Sequence, residues 1–316
     1  MRIYYTSDLH GSEKCWRKFL AAPKYYQADV VIIGGDITGK FIVPIIHLPN
    51  GRAEATFMGV KRKLNKEKDI EYLKEQIANT GQYAIDVTPE EFAAYQEDHS
   101  MLEKLFEKLL TERVARWVQM ADERFKDQAV RCFISAGNDD LFEVDGMLAQ
   151  SRSIEMHDGR LIDLGEGFEM FGLSYSNMTP WNCPRDISEQ ELAEKIEALA
   201  SQVKDPKRAI FDIHVPPYGT GIDEAPELTT ELRMVLDGTG TPKMIPVGST
   251  AVREAILKYQ PMLGLHGHIH ESAGIRKLGE TTIVNPGSEY AEGILRGALI
   301  EINARQGLVN VNLVTG

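Results

Sequence analysis

Seven side chains with metal-binding chemistry follow short apolar runs of the sequence, and their spacing is typical of a shared cluster. Residues two apart in an extended chain point the same way, so Asp8 can act with His10, and His268 with His270. The whole donor set comprises Asp8, His10, Asp36, Asn138, His214, His268 and His270. Two carboxylates, one amide and four imidazoles without a thiolate suit Mn²⁺, Fe, Zn²⁺ or a similar ion, and do not suit a closed structural zinc site.

Seven donors are more than one ion needs. If one carboxylate bridges two ions, each ion receives four protein ligands and keeps open positions for water and substrate. Glycines beside Asp36, Asn138 and His268 permit tight turns and close backbone approach. The residues therefore predict a dinuclear centre of two divalent or trivalent ions, with Mn, Fe, Zn and Ni all open.

Five β-branched runs precede these donors and are predicted to be strands, at residues 3–7, 30–33, 132–136, 209–213 and 262–265. Near-continuous apolar runs of this kind are typical of strands buried on both faces. Helical stretches at residues 14–22, 188–203 and 250–259 lie between several of them. The alternation predicts a layered α/β fold, in which sites form at the carboxyl ends of the strands.

Two segments depart from this alternation. Residues 52–128 are strongly charged and are predicted to be helical throughout, with Thr88, Pro89 and Glu91 typical of a helix start. The apolar stripe that follows predicts one long helix or two, packed either on the core or on a partner such as a second copy of this chain. Residues 281–284, 297–302 and 309–314 are three further predicted strands, expected to pair as a hairpin or meander on a second sheet.

The composition excludes several classes of protein. With 35 basic and 47 acidic residues the chain carries a net charge of −12, which argues against broad nucleic-acid or anionic-membrane binding. No apolar run approaches the ~18 residues of a membrane span, and the start lacks the basic-then-apolar pattern of a signal peptide. Cys15, Cys132 and Cys183 are too widely separated to suggest a disulfide or thiolate-zinc framework. We therefore expect a cytoplasmic protein.

The motifs DLH, GGD, GND, a lone histidine and GHIH, in that order, resemble those of the calcineurin-like metallophosphoesterases. The resemblance covers nearly the whole chain outside the charged segment. It implies a four-layer α/β/β/α sandwich, built as one domain over residues 1–316 with a mostly helical insertion at about 52–128. It also implies a hydrolase that cleaves a small phosphomonoester or phosphodiester by attack of metal-activated water.

The resemblance also assigns the donors. Asp8, His10 and His270 would bind the first ion, Asn138, His214 and His268 the second, and Asp36 would bridge both, so that the catalytic group comprises Asp36, Asn138 and Asp139. The family has a histidine where this chain has Asp139. An ionised Asp139 would repel phosphate unless it were turned away, protonated or metal-bound. This departure and the helical insertion keep an alternative open, namely a weak or inactive scaffold or binding protein of the same fold.

Two further residues are predicted substrate contacts. Asn177 lies in a loop after a strand-like run, and His266 stands two residues before His268.

The stretch from Gly34 to Lys40 matches the G-x-x-x-x-G-K phosphate-binding loop. However, Phe41 replaces the hydroxyl residue that binds Mg²⁺ in such loops, so we do not expect a nucleotide triphosphatase.

Overall fold

The computed structural model describes residues 1–49 and 51–316. In chain order, the strands of these residues are β1 (Arg2–Thr6), β2 (Val30–Gly34), β3 (Ile42–His47), β4 (Ala53–Phe57), β5 (Val60–Leu64), β6 (Tyr83–Val87), β7 (Arg131–Ser135), β8 (Ile154–Glu155), β9 (Leu161–Gly165), β10 (Phe168–Leu173), β11 (Ser176–Asn177), β12 (Asp186–Ile187), β13 (Ala209–Ile213), β14 (Glu224–Pro226), β15 (Met244–Pro246), β16 (Leu263–Leu265), β17 (Gly274–Leu278), β18 (Thr281–Asn285), β19 (Arg296–Asn303) and β20 (Gly307–Thr315).

The helices alternate with strands through much of the chain. Within the same residues they are α1 (Glu13–Tyr26), α2 (Glu67–Asn79), α3 (Pro89–Glu97), α4 (His99–Phe125), α5 (Glu143–Leu148), α6 (Glu189–Ala200) and α7 (Thr250–Tyr259), with 3-10 turns at Pro206–Arg208 and Tyr290–Glu292. Thr88 caps α3 and Ser188 caps α6, each by accepting a hydrogen bond from a glutamate backbone N–H three residues later. None of the described helices combines the length and apolar character needed to cross a membrane.

Two six-stranded sheets form the centre of the fold. The first has the order β20-β19-β1-β2-β7-β8, and the second has the order β17-β18-β16-β13-β10-β9. Strands β1, β2, β7 and β8 run parallel to one another, as do β10, β13, β16 and β18. Because the carboxyl ends of parallel neighbours meet at one edge, the loops that follow them lie together.

Alternate side chains of the central strands build separate cores on the two faces of each sheet. Ile3 and Ile32 of the first sheet are buried with Leu265 of the second, between the sheets. Tyr4 and Ile33 face the opposite way, into a core shared with α1 and α4. Helices α6 and α7 cover the outer face of the second sheet. This order of layers confirms the predicted α/β/β/α sandwich.

The charged segment is not helical throughout, and that prediction is wrong. Strands β4, β5 and β6 lie within residues 52–128 and join β3 in a four-stranded sheet of order β5-β4-β3-β6. Three consecutive basic residues, Lys61, Arg62 and Lys63, make β5 resemble a solvated helix in sequence, because strands seldom carry such a run. Alternate residues of β4 pack with α2 in a small core of their own. The division into one domain with an insertion stays a prediction.

The long apolar stripe forms two helices, which was one of the alternatives left open. Asp98 separates α3 from α4 with an extended backbone (φ −119°, ψ 96°), and its carboxylate accepts hydrogen bonds from the first N–H groups of α4, including that of Ser100. Val114 and Trp117 of α4 are buried in the core that lies between the first sheet and helix α1. The stripe of α4 therefore packs on the core.

The last three strands do not share one sheet: the predicted hairpin is confirmed for β19 and β20, but its placement on the second sheet is wrong. Strand β18 belongs to the second sheet, where it is parallel to β16. Strands β19 and β20 form a hairpin on the first sheet, with β19 antiparallel to β1. Ala298 and Ile300 of β19 are buried between the two sheets. Burial of these side chains accounts for where the hairpin lies.

Replacing Trp117 with alanine is expected to lower the free energy of unfolding by about 3–5 kcal/mol, the usual cost of removing a buried tryptophan. The Trp117 ring is 2% exposed and stacks on Trp16, with ring centroids 4.6 Å apart. Urea unfolding followed by circular dichroism measures the change. Met101→Ala on the exposed part of the same helix is the control and should cost less than about 0.5 kcal/mol. Equal effects would contradict the packing of α4 on the core.

Candidate metal centre

The donors predicted from the sequence lie in loops at the carboxyl ends of five strands, β1, β2, β7, β13 and β16. Four of them have left-handed backbones, with φ of 57° at Asp8, 43° at His10, 49° at Asp36 and 66° at His268. This conformation costs a non-glycine residue about 1–2 kcal/mol, and such strain concentrates at functional sites. Backbone hydrogen bonds of 2.9 Å, from Asp8 to Gly35 and from His10 to Asp36, hold the first two loops in place.

One group of donors comprises Asp8, His10 and His270, whose ligand atoms all lie within 4.8 Å of one another. The Nε2 atoms of His10 and His270 are 3.0 Å apart, and Nε2 of His270 is 3.3 Å from Oδ1 of Asp8. Both oxygens of Asp8 also accept from the backbone N–H of His268. The group therefore directs two imidazole nitrogens and a carboxylate at one point.

A second group comprises Asp36, His214 and His268, also with ligand atoms within 4.8 Å. Asp36 faces both groups, because its Oδ1 is 3.4 Å from Nε2 of His214 while its Oδ2 is 3.5 Å from Nε2 of His10. Nδ1 of His214 lies 2.9 Å from the carbonyl oxygen of Gly34, which can only accept a hydrogen bond. Once the other proton has left, as metal binding requires, the ring therefore keeps its hydrogen on Nδ1 and presents a lone pair at Nε2.

Two buried polar atoms without hydrogen-bond partners indicate that this site suits metal ions. Among the described residues, the buried Nε2 of His214 and the buried Oδ1 of Asn138 have no hydrogen-bond partner. The amide nitrogen of Asn138 donates to Oδ1 of Asp186 at 2.8 Å, which fixes the amide orientation and leaves its oxygen free. A buried acceptor without a donor is costly. Two adjacent ions bound by carboxylate, imidazole and amide donors would satisfy both atoms.

The pKa values of the histidines differ sharply across the centre. Burial lowers the pKa of His10 to about 3 and that of His268 to about 4, so both rings are neutral at pH 7 and available as ligands. For His214, burial is outweighed by the negative charge of Asp36, whose Oδ1 is 3.4 Å from Nε2, and this charge raises the pKa of His214 to about 10. A cation is thus favoured beside Asp36, and metal binding there would release a proton.

Asp140 was not identified from the sequence, although it organises the loops that carry the donors. Its completely buried carboxylate accepts hydrogen bonds from the backbone N–H groups of Ile37, Thr38 and Gly137, at 2.8–3.0 Å. Burial raises its pKa to about 6 against the effect of these donors. The acidic residue after Asp139 could have been a signal, because a buried carboxylate beside a glycine-rich turn commonly accepts backbone hydrogen bonds.

Lys40 was also missed, since its motif was rejected as a nucleotide-binding loop. Its Nζ is 2.6 Å from Oδ2 of Asp139, and the same Oδ2 is 3.9 Å from Nδ1 of His10. Asp139 forms a third compact donor group with His10 and Asp36. Burial opposes the charge of Lys40, but Asp36 and Asp139 raise the pKa of its ammonium above the ordinary value. Asp139 therefore lies at the centre with a cation as partner.

The two predicted substrate contacts differ in position. His266 is completely buried, its Nδ1 is 2.8 Å from the carbonyl oxygen of Ile213, and it lies outside the three donor groups. The contact of His266 with substrate stays a prediction. Asn177 is half-buried and follows Ser176, whose hydroxyl is 3.3 Å from Nε2 of His268. The role of Asn177 in substrate binding stays a prediction.

Replacing Gly35 with alanine is expected to weaken metal binding by about tenfold or more, the range seen when a ligand's support is lost. A Cβ at Gly35 would lie 2.4 Å from Nδ1 of His214, and the φ of +125° also disfavours a side chain. Titration of the metal-free protein with Mn²⁺ by calorimetry measures the change. Gly146→Ala in α5, where an added Cβ meets nothing within 4 Å, is the control and should bind Mn²⁺ like the parent. Equal affinities for both variants would contradict a metal site at His214.

Comparisons with known proteins identify relatives of the fold. No family model matches the chain. An uncharacterised protein of Methanocaldococcus jannaschii is 32% identical over 152 residues, which are 48% of this chain and 61% of that protein, so the match spans less than two thirds of the relative. One crystal structure superposes with a TM-score of 0.56 at 16% identity, covering 99% of this chain and 98% of the other.

A second crystal structure, of a Thermus thermophilus protein, gives a TM-score of 0.53 at 14% identity and covers 100% of this chain and 97% of the other. At these identities the likeness establishes a shared fold. Weaker matches include a 5′-nucleotidase precursor, an archaeal phosphodiesterase and an Escherichia coli phosphoesterase, with TM-scores of 0.44, 0.32 and 0.31. Scores this low carry no argument about this chain.

Proposed function

We propose that this protein is a dinuclear metal-dependent phosphoesterase of the calcineurin-like metallophosphoesterase family, acting on a phosphomonoester or phosphodiester. One observation carries the proposal: the two oxygens of Asp36 face two separate groups of buried donors, at 3.4 Å from His214 and 3.5 Å from His10. A carboxylate in that position can bridge two ions. Paired ions are typical of enzymes that hydrolyse phosphate esters.

Each donor has a role in this proposal. Asp8, His10 and His270 would hold one ion, and His214, His268 and Asn138 would hold the other. When bound, such ions polarise phosphoryl oxygens and lower the pKa of a water molecule toward neutrality. The protein keeps the donors in position: the Gly34 carbonyl sets the ring of His214, and Asp186 sets the amide of Asn138. With the carboxylates of Asp8 and Asp36 against two divalent ions, the centre would carry net positive charge and would attract an anionic ester.

Lys40 offsets the aspartate that stands in the family's histidine position. Its ammonium pairs with Asp139 at 2.6 Å, so this carboxylate does not confront the phosphate as an isolated negative charge. The ammonium has further hydrogen-bond donors that can bind a phosphoryl oxygen. The Lys40–Asp139 pair therefore removes the main electrostatic objection to phosphate binding at this centre.

The alternative function is that of a scaffold or binding protein that has the fold and does not hydrolyse esters. The missing histidine favours it, whereas the two compact groups of carboxylate and imidazole donors that share the site with Asp36 favour catalysis. A panel of p-nitrophenyl phosphate, bis-p-nitrophenyl phosphate and alkyl esters, assayed with Mn²⁺, Fe²⁺, Zn²⁺, Ni²⁺ and Mg²⁺, separates the two. We expect turnover with at least one transition metal. Stoichiometric metal binding without turnover of any ester would support the scaffold.

A further inference from the structure

A large apolar cavity lies beside the candidate metal centre. It encloses about 920 Å³, which is the size of a pocket for a substantial organic ligand. Strands β3 and β6 and helices α3 and α4 contribute most of its lining, including the side chains of Ile42, Ile85, Phe92, Tyr95 and Phe106, and Phe41 lines it from the position before β3. The groove, as we call this cavity, is therefore built largely by the segment between β2 and β7, outside the two central sheets.

The groove adjoins the metal centre at Lys40 and Leu141. Both residues line it, and Nζ of Lys40 is 2.6 Å from Asp139, which groups with His10 and Asp36. Leu141 follows Asp139 by two residues. A ligand whose phosphate lies at the centre would therefore place its organic portion against this apolar wall.

The groove lining favours apolar ligands and carries no net charge. Its charged members are two lysines, Lys40 and Lys104, and two glutamates, Glu103 and Glu107. Helix α3 has no buried residue, so its aromatic side chains Phe92 and Tyr95 are not part of a closed hydrophobic core. Phe41 is 63% exposed. Exposed aromatic side chains next to a polar centre gain from an apolar ligand, because contact removes their surface from water.

We propose that the groove binds a large apolar organic group of the phosphate ester, so that the substrate class is an ester with a long alkyl chain or an aromatic ring system. This inference rests on the proposed function, because the phosphate is assigned to the metal centre. Each buried methylene strengthens binding by up to about fourfold. With only part of a chain buried, an octyl group should still give at least about tenfold over a methyl group.

Binding of phosphonates tests the groove without requiring turnover. Isothermal titration calorimetry of the Mn²⁺-loaded protein with methylphosphonate, n-octylphosphonate and 2-naphthylphosphonate should give at least about tenfold tighter binding for one of the larger ligands. The comparison of the octyl and naphthyl arms distinguishes a chain from a ring. The double variant Phe41→Ala/Phe92→Ala should reduce this ratio toward one. Tyr72→Ala, an exposed aromatic of α2 outside the groove, is the control and should keep the parent ratio.

Hydrolysis of methyl and octyl p-nitrophenyl phosphodiesters separates failure of the groove from failure of the proposed function. Hydrolysis of both esters at equal kcat/KM, together with equal binding of all phosphonates, would overturn the groove and leave the phosphoesterase intact. Hydrolysis of neither ester under any metal, with octylphosphonate still preferred, would overturn the proposed hydrolysis and support the groove as a binding site for apolar phosphates. The parent protein alone decides these outcomes, so a variant that fails to fold does not affect them.

Discussion

Replacing Asp36 with asparagine is expected to lower kcat/KM for phosphate esters by about a hundredfold to a thousandfold, the loss typical when a key electrostatic group is removed from an active site. Asp36 is the carboxylate whose oxygens face His10 and His214. Asparagine keeps the shape and one oxygen but removes the negative charge. Both ions would then lose an anionic ligand. Steady-state kinetics and metal analysis by mass spectrometry measure the two consequences.

A surface aspartate provides the control for this variant. Asp127→Asn removes the same charge at an exposed position after α4 and should leave metal content and kcat/KM at the parent values. Circular dichroism establishes that both variants are folded. An Asp36→Asn protein that retains two ions and full activity would contradict the bridging role.

Replacing Lys40 with methionine is expected to lower kcat/KM by about tenfold to a hundredfold, mainly through a higher KM. The substitution leaves the Asp139 carboxylate without its cation beside the phosphate position, and an unpaired charge in a half-buried site is costly. Restoring neutrality should reverse part of the loss. The double variant Lys40→Met/Asp139→Asn is therefore expected to be more active than Lys40→Met alone.

A double-mutant cycle over Lys40 and Asp139 measures their coupling directly. Lys61→Met, which removes a surface lysine paired with Glu54 on β4, is the control for loss of one positive charge and should change kcat/KM by less than about twofold. If the two substitutions at the centre prove additive, the pair has no functional coupling. The presence of Asp139 in place of the family's histidine would then have no explanation.

The central architecture could be predicted because local pattern and tertiary environment agree. Fully buried runs such as Val30–Gly34 are typical of strands between two layers, and the turns that follow them carry donors. The capping residues Thr88 and Ser188 mark helix starts through a local hydrogen bond, which is a property of a few neighbouring residues. The donor clusters follow from the same logic, because parallel strands bring their carboxyl ends to one edge.

The remaining features depend on contacts between distant residues. Lys40 precedes Asp139 by 99 positions along the chain, and only the fold brings the two together. Arg185 looks like an exposed loop residue in the sequence, yet it is 1% exposed and donates to the carbonyl oxygens of Asp140 and Leu141. Strand β5 is basic because one of its faces meets solvent. Neither periodicity nor propensity encodes such long-range partners.

The centre takes donors from both halves of the sandwich, and this has a mechanical consequence. Asp8 and Asp36 extend from the first sheet, whereas His214, His268 and His270 extend from the second. The group of Asp8, His10 and His270 combines residues from both sheets, and so does the group of Asp36, His214 and His268. Ions bound there would cross-link the two sheets. Part of the metal-binding free energy would therefore oppose separation of the sheets during unfolding. The chemistry of the site and the cohesion of the sandwich would then depend on the same few bonds.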